Sequence, residues 1–390
     1  MLFLLIAQLV ATLGKIVFLF AFVLTVVPLL VWAERRISAW IQDRKGPNRV
    51  GPAGLLQPLA DLIKFLSKES FVPERAERFL YNLAPLLMLV PALMVGAVIP
   101  WSKPIPPDSW IGYWLSAVDW APEGIPFQVI DVDIGILYFY ALASLGVYGV
   151  ILAGWAANNK YTLLGGLRAS ASMVSYELSL GLSVVVVLLM TGTLRINGIV
   201  DWQQGAWLVF YQPLACLTFM VTVFAENNRL PFDLAESEQE LVGGYHTEYG
   251  GIKFALSMLA EYAHMAINSA LIASLFFGGW RWFGLEDRLP WWATLLLFIG
   301  KALFFMFFFI WVRWTFPRFR FDQVIHLGWK VLLPMTLGNA IATAVALVLV
   351  ERSGWPLWPV VMAGQVVVVA GAILGSTIQT RRLQARAAAS

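Results

Sequence analysis

The chain has 390 residues, of which 59% are hydrophobic and only 13% are charged, and its formal net charge is +3. Because a soluble domain carries about 25% charged residues, this composition excludes a soluble globular protein and indicates an integral membrane protein. The single cysteine, Cys216, excludes an internal disulfide and an iron–sulfur cluster bound only by cysteines of this chain.

Long apolar segments without strict alternation predict membrane-spanning helices rather than a β-barrel, so the predicted fold is all-α and polytopic. In chain order, nine spans are predicted, at residues 13–33, 79–99, 134–155, 171–191, 206–224, 254–276, 292–312, 330–350 and 356–378. Twenty Lys and Arg residues fall on one side of these spans and five on the other, with Lys15 and Lys301 inside spans. Since positively charged loops are retained in the cytoplasm, we expect the N-terminus outside and the C-terminus in the cytoplasm.

The first predicted cytoplasmic loop, residues 34–75, is too long for a simple connection. It begins with turn residues at Gly46-Pro47-Asn48 and Gly51-Pro52. From Leu55 to Ser70 the pattern becomes helical, with one polar face formed by Gln57, Asp61, Lys64 and Lys68. This pattern predicts an amphipathic helix at the membrane surface, and a plain interfacial anchor would show the same pattern.

An acidic segment follows the fifth predicted span. Residues 231–241 carry four carboxylates in eight residues, at Asp233, Glu236, Glu238 and Glu240. Carboxylates in or beside a membrane are costly to desolvate, and they usually belong to a proton, ion or substrate path.

Two further acids lie inside predicted spans. Glu177 and Glu261 are each about seven residues into a span, so we expect both about 10 Å below the cytoplasmic edge. Together with edge acids they would form a lateral line, whose other members are Glu226, Glu236, Glu238, Glu240 and Glu248. The alternative interpretation is that each acid is held by a neighbouring cation and serves only packing.

The sequence contains no pattern for a bound redox cofactor. No glycine-rich phosphate loop follows a strand, so no NADH, flavin or nucleotide site is expected. The three histidines, His246, His264 and His326, are scattered and lack the spacing of haem or metal ligands. Lys301 lies in the middle of a predicted span, where we expect it to pair with an acid of another span.

Ordered motifs across residues 33–334 resemble one family. They are Ala33-Glu34-Arg35-Arg36, Arg44-Lys45-Gly46-Pro47-Asn48-Arg49-Val50-Gly51-Pro52, Leu55-Leu56-Gln57-Pro58-Leu59-Ala60-Asp61, Ser175-Tyr176-Glu177, Asn228-Arg229-Leu230-Pro231-Phe232-Asp233, Glu238-Gln239-Glu240-Leu241, Tyr245-His246-Thr247-Glu248-Tyr249, Ala260-Glu261-Tyr262 and Pro317-Arg318-Phe319-Arg320-Phe321-Asp322-Gln323. The set resembles the membrane subunit of respiratory complex I (NADH:quinone oxidoreductase) that forms the quinone chamber, which is the H-type subunit in bacteria and subunit 1 in mitochondria.

The resemblance implies a bacterial inner-membrane subunit of a proton-pumping NADH:quinone oxidoreductase, with residues 1–350 as the family domain and 351–390 as an added helix and basic tail. It implies a quinone channel at Glu34, Arg35, Arg44, Asp61, Arg229, Arg313 and Arg318. Proton coupling would involve Glu177, Asp233, Glu236, Glu238, Glu240, Glu248 and Glu261. No catalytic residue is assigned to this chain.

The implied substrate is a quinone, ubiquinone or menaquinone. Flavin and iron–sulfur clusters are expected only in partner subunits, which would include hydrophilic quinone-site subunits and small membrane subunits; membrane lipid is a further partner, and nucleic acid is not. Two other functions remain open. The chain resembles the matching subunit of a membrane-bound hydrogenase less closely, because the Gly46–Pro52 loop favours the quinone type. A stand-alone proton-coupled transporter would predict inverted repeats with broken spans, which the sequence does not show.

Overall fold

The computed structural model describes residues 2–107, 109, 124–235 and 238–389. Within these residues the secondary structure is helical, and the one β-type pairing is an isolated bridge between Ile105 and Ile125. The helices, in chain order, are α1 (Leu2–Ile41), α2 (Gln57–Ser67), α3 (Arg78–Val95), α4 (Gly135–Ala156), α5 (Lys160–Thr191), α6 (Ile196–Trp202), α7 (Leu208–Tyr211), α8 (Pro213–Glu226), α9 (Glu238–Leu241), α10 (Gly251–Phe276), α11 (Trp291–Thr315), α12 (Phe321–His326), α13 (Leu333–Ser353) and α14 (Leu357–Ala389).

The all-α membrane fold is confirmed, and the number of spans is close to the nine expected. Among the described residues, seven helices are long and apolar enough to cross a membrane: α1, α3, α4, α5, α11, the continuous helix Phe321–Ser353 that contains α12 and α13, and α14. The predicted span 254–276 lies within α10, which has 26 residues. Helix α10 is not one of the seven, because Glu261, His264 and Asn268 lower its mean hydropathy.

The fifth predicted span, 206–224, is interrupted. The helix breaks at Gln212–Pro213, which leaves the four residues of α7 and the 14 residues of α8. Pro213 has no N–H to donate and restricts Gln212 to a non-helical conformation, which breaks the helix. The break was not predicted because the residues on either side form a continuous apolar segment. Pro213 begins α8 at a position where its missing N–H is tolerated.

The fourth predicted span begins at residue 171, but α5 begins at Lys160. The Asn159 side chain caps the helix by accepting from the Tyr161 N–H at 3.0 Å. The predicted start follows the apolar segment, which the polar and glycine residues before 171 limit. Such residues can nevertheless continue a helix well beyond its apolar part. Glu177 therefore lies 17 residues, or about 26 Å, from the start of its helix, which begins 11 residues before the predicted span.

The first loop folds as expected around a surface helix. Helix α2 contains no buried residue, and it contacts α1 and α10. The turn before it returns to α1, where Arg36 donates to the Ala53 carbonyl at 2.9 Å. Gly54 has φ +75°, and a Cβ there would lie 2.2 Å from the Pro47 carbonyl oxygen, so this turn requires glycine.

The smaller of two hydrophobic cores lies between α3, α4, α5, α10 and the segment 244–249. Gly165 of α5 allows this segment to approach closely, because a Cβ at Gly165 would lie 2.7 Å from the backbone of Gly244. Tyr245 and Tyr249 are consequently buried against this core. The ring of Tyr249 stacks on that of Tyr81 with centroids 4.2 Å apart.

Candidate functional site

A buried ion cluster surrounds Glu34 near the C-terminal end of α1. Arg313 donates to its Oε1, and the Tyr262 hydroxyl donates to Oε2 at 2.8 Å. Arg229 is 5% exposed and its Nη1 lies 3.9 Å from the same Oε2, while its guanidinium carbon lies 4.1 Å from the centre of the Tyr262 ring. Four distant segments of the chain thus meet at one carboxylate, in an arrangement rich in hydrogen-bond donors.

The remaining predicted channel residues make contacts of their own. Arg35 pairs with Asp61 at 2.6 Å, and Gln57 donates to the other oxygen of Asp61 at 3.1 Å, so α2 is fastened to α1. Arg318 pairs with the buried Asp233 at 2.8 Å. Arg44 is exposed and donates to the Gln42 side chain at 2.7 Å, so within the described residues it does not join the cluster.

The acidic segment is only partly described. Glu236 lies outside the described residues, and Glu238 begins the short helix α9. Glu240 pairs with Arg168 of α5. Phe319 donates its N–H to the Pro231 carbonyl at 3.1 Å, which holds the beginning of the segment against the chain that follows α11.

Two small cavities inside the bundle are lined by acids. One, of about 40 Å³, is lined by Glu226, Glu261, His264 and Tyr245 among other residues. The other, of about 20 Å³, is lined by Glu177 and, again, Glu226. A water molecule needs about 10–15 Å³ by this measure, so the first cavity has room for two or three water molecules and the second for one.

The structure therefore brings Glu177, Glu226 and Glu261 together and leaves other predicted acids apart. Glu261 accepts from the Tyr245 hydroxyl at 3.0 Å. Glu248 accepts from the Asn159 side chain at 2.6 Å and does not line either cavity.

One residue of the site was predicted in a less central place, and another was not predicted as a site residue. Glu226, predicted as a member of the acid line at the membrane edge, ends α8 and is the carboxylate common to both cavities. Tyr262, in the ion cluster, was not predicted as a site residue. An amide pair continues the polar groups beside Glu226, because Asn268 donates to Asn227 at 2.8 Å. The sequence signal for the central place of Glu226 is its position directly before Asn227-Asn228-Arg229, a polar run that follows an apolar helix.

Contrary to expectation, Lys301 does not pair directly with an acid among the residues that the structure describes. Its Nζ donates to the carbonyl oxygens of Phe277, Gly279 and Arg281 at 2.7, 2.8 and 2.6 Å. These carbonyls follow the C-terminal end of α10, where the helix leaves them without intrahelical donors. A lysine is therefore accommodated in an apolar helix by capping its neighbour.

Charged loop residues lie at the end of the bundle that also contains Lys301. The Arg195 guanidinium hydrogen-bonds both oxygens of Asp131 and holds the pKa of that carboxyl below its usual value. Burial of Glu286 would raise its pKa, but hydrogen bonds from backbone N–H groups and from Arg281 outweigh burial and lower it. Among the described residues, no three His, Cys, Asp or Glu side chains are grouped to bind a metal ion.

Comparisons of the sequence with known proteins identify its relatives. The sequence model of the family described as NADH dehydrogenase matches residues 14–344. An H-type subunit of NADH-quinone oxidoreductase from Geobacter metallireducens is 48% identical over 337 residues, which cover 86% of this chain and 96% of the relative. The corresponding subunit of Bdellovibrio bacteriovorus is 45% identical, covering 85% and 94%, and that of Flavobacterium psychrophilum is 46% identical, covering 86% and 96%.

Proposed function

The chain belongs to the NADH dehydrogenase family as a membrane subunit of NADH-quinone oxidoreductase, complex I, and we propose that it forms the quinone channel and transmits the effect of quinone reduction to proton transport. It is a multi-pass membrane protein and a subunit of an enzyme complex. The relatives favour this function over the hydrogenase counterpart and over a stand-alone transporter.

The Glu34 cluster supports the quinone role. A quinone headgroup carries two carbonyl oxygens and takes up two protons when it is reduced, so its site needs hydrogen-bond donors that stay in place as charge develops. Arg313 and Arg229 provide such N–H donors beside one carboxylate, which Tyr262 orients through its hydroxyl. They are buried or half-buried, and the low local dielectric strengthens their interaction with a developing negative charge.

The tail of the quinone would pass between α1 and α2. Helix α2 presents four exposed apolar side chains: Leu59, Leu62, Ile63 and Leu66. The Arg35–Asp61 pair sets the distance between the two helices at this entrance. Arg44 is the exposed cation of the proposed channel, at its entrance, where a partner subunit or a lipid headgroup would approach it.

The cavity chain supports the coupling role. Carboxylates exchange protons readily through short chains of water, and Glu261, Glu226 and Glu177 line cavities with room for one to three water molecules. We propose the same role for the outer acids, in which Asp233, Glu236, Glu238, Glu240 and Glu248 connect the headgroup region to this line. Arg318 belongs to both parts, since it holds Asp233.

Partners and orientation follow from the same proposal. Hydrophilic subunits with the flavin and iron–sulfur clusters would dock over the loops that contain residues 34–75 and 227–250, with small membrane subunits beside the acid line. These loops would face the cytoplasm of a bacterial cell, with the N-terminus outside and the C-terminus inside.

The observation that carries the quinone role is the contact of Glu34 with Arg313, Tyr262 and Arg229. The test is Glu34→Gln in the assembled complex. We expect NADH-to-quinone activity to fall strongly while NADH oxidation by a hydrophilic artificial acceptor is kept. Equal loss of both activities in a fully assembled complex would refute a specific role at the quinone channel, and wild-type quinone kinetics would refute it as well.

A further inference from the structure

Helix α14 lies beyond the part of the chain that the family shares, because the family match ends at residue 344. It nevertheless packs along α13, with small residues at the contact. A Cβ at Gly364 would lie 3.4 Å from the Cβ of Ala342, and one at Gly338 would lie 3.3 Å from Val368. Small residues allow membrane helices to approach closely and gain dispersion energy.

The break between α7 and α8 creates an energetic problem inside the membrane domain. At the break the Tyr211 carbonyl and the Leu214 N–H have no partner within their own helices, since Pro213 interrupts the hydrogen-bond pattern. Irregular backbone at membrane depth is tolerated only where protein or water satisfies its polar groups. Something must therefore satisfy both sides of this break.

Gln365 of α14 satisfies both sides. Its Oε1 accepts from the Leu214 N–H at 3.1 Å, and its Nε2 donates to the Tyr211 carbonyl at 2.7 Å. The side chain is 4% exposed. Trp358 of the same helix donates to the Phe210 carbonyl at 2.9 Å. One amide side chain thus replaces the missing backbone hydrogen bonds before and after Pro213.

Within the described residues, the family core supports the break from the other side. Within the matched residues, Thr343 accepts from the Gln212 side chain at 3.0 Å and Asn339 donates to it at 3.4 Å. These contacts hold the Gln212 side chain and do not reach the Leu214 N–H. The backbone groups depend on the added helix.

We infer that α14 is a built-in partner helix of the membrane domain and that Gln365 is a positioning residue, which anchors the N-terminal end of α8. Helix α8 has 14 residues and ends at Glu226, the acid shared by the two cavities. By holding the first turn of α8, Gln365 therefore also positions Glu226. The effect on coupling rests on the proposed function, whereas the anchoring itself does not.

The experiment compares Gln365→Met with Val367→Met in the complete chain, assembled in its complex. Both variants introduce the same apolar residue in α14, but Val367 is 71% exposed on the outer face. Hydrogen–deuterium exchange of the peptide that contains Leu214 reports whether the anchor holds. We expect exchange to be faster by about tenfold in Gln365→Met, because a buried N–H is left without its acceptor, and unchanged in Val367→Met. Gln365→Asn keeps the amide but is one methylene shorter, and we expect an intermediate rate.

Wild-type exchange in Gln365→Met, or an equal increase in Val367→Met, would overturn the anchoring role. If Gln365→Met does not assemble, the same decision falls to Gln365→Asn, for which a wild-type rate overturns the proposal. The number of protons moved per quinone reduced is measured on the same preparations, with Glu226→Gln as the reference. A reduced ratio in both Gln365→Met and Glu226→Gln supports positioning of Glu226. A reduced ratio only in Glu226→Gln overturns the positioning of Glu226 by Gln365. A normal ratio in Glu226→Gln refutes the proposed coupling function, and the exchange result still decides whether Gln365 anchors α8.

Discussion

The Tyr262 hydroxyl donates a hydrogen bond of 2.8 Å to Glu34, a residue 228 positions earlier in the chain. The same tyrosine ring lies below the guanidinium of Arg229. Tyr262 therefore orients the carboxylate and the cation at the same time, and it determines which Glu34 oxygen remains available to Arg313.

Removal of this hydroxyl tests the arrangement. We expect Tyr262→Phe to lower NADH-to-quinone activity about tenfold or more, because a hydrogen bond to a charged group contributes about 1.5–3 kcal/mol, while activity with a hydrophilic artificial acceptor is kept. Tyr148→Phe, at a tyrosine that is 60% exposed, is the control. Unchanged quinone kinetics in Tyr262→Phe would mean that Arg313 alone orients Glu34.

Arg35 is the link between α1 and the surface helix. Arg35→Ala removes the pair with Asp61 and should impair quinone reduction, because α2 is no longer held at the entrance, while artificial-acceptor activity is unaffected. Steady-state assays with a long-tailed and a short-tailed quinone separate the effects, and we expect the long-tailed substrate to lose more. Equal losses for the two quinones would argue against a role at the tail entrance.

The acids that line the cavities should be required for coupling. Glu261→Gln and Glu177→Gln keep the size of the side chain but remove its titratable proton, so each should lower quinone reduction and proton translocation together in an assembled complex. Moving one charge against about 100 mV takes about 2.3 kcal/mol, which a neutral amide cannot provide by changing its proton affinity. Reconstituted vesicles with a pH-sensitive dye give the measurement, and full pumping by Glu261→Gln would leave only a packing role.

The Asp131–Arg195 pair should make stability depend on pH. The folded-state pKa of Asp131 is lowered, so the pair stabilises the fold above the ordinary pKa of 3.8, and this contribution is lost as pH falls through the lower folded value. Thermal inactivation of Asp131→Asn should therefore be faster than wild type at pH 7, with the difference shrinking toward pH 3. A difference that persists unchanged at acid pH would assign the effect to packing.

Lys301 should contribute to stability rather than to catalysis. Lys301→Met leaves three carbonyl oxygens without their donor, and each unsatisfied buried group costs about 1–3 kcal/mol. We expect less assembled complex but normal quinone activity per assembled complex, measured by native electrophoresis and activity on the same sample. A normal yield with reduced activity would instead place Lys301 in the proton path.

Local features of the chain differ in how well the sequence predicted them. The α2 helix was predicted at 55–70 and runs from Gln57 to Ser67, with Gln57, Asp61 and Lys64 of the predicted polar face inside it, because an amphipathic pattern is a local property. The start of α5 was wrong by 11 residues, since hydropathy reports where apolar residues lie and not where a helix is capped. The break at Gln212–Pro213 was missed for the related reason that its neighbours are uniformly apolar.

The sequence by itself determined the membrane class, the helical fold and the family, because apolar length, basic-residue distribution and ordered motifs are all properties of consecutive residues. Only the tertiary structure decided which distant side chains meet: Tyr262 with Glu34, Glu226 with both Glu177 and Glu261, and Gln365 with the break at Pro213. In a membrane domain nearly every helix is apolar on most of its surface, so helical periodicity does not specify lateral neighbours. Close packing of small residues and the need to satisfy each buried polar group select those neighbours.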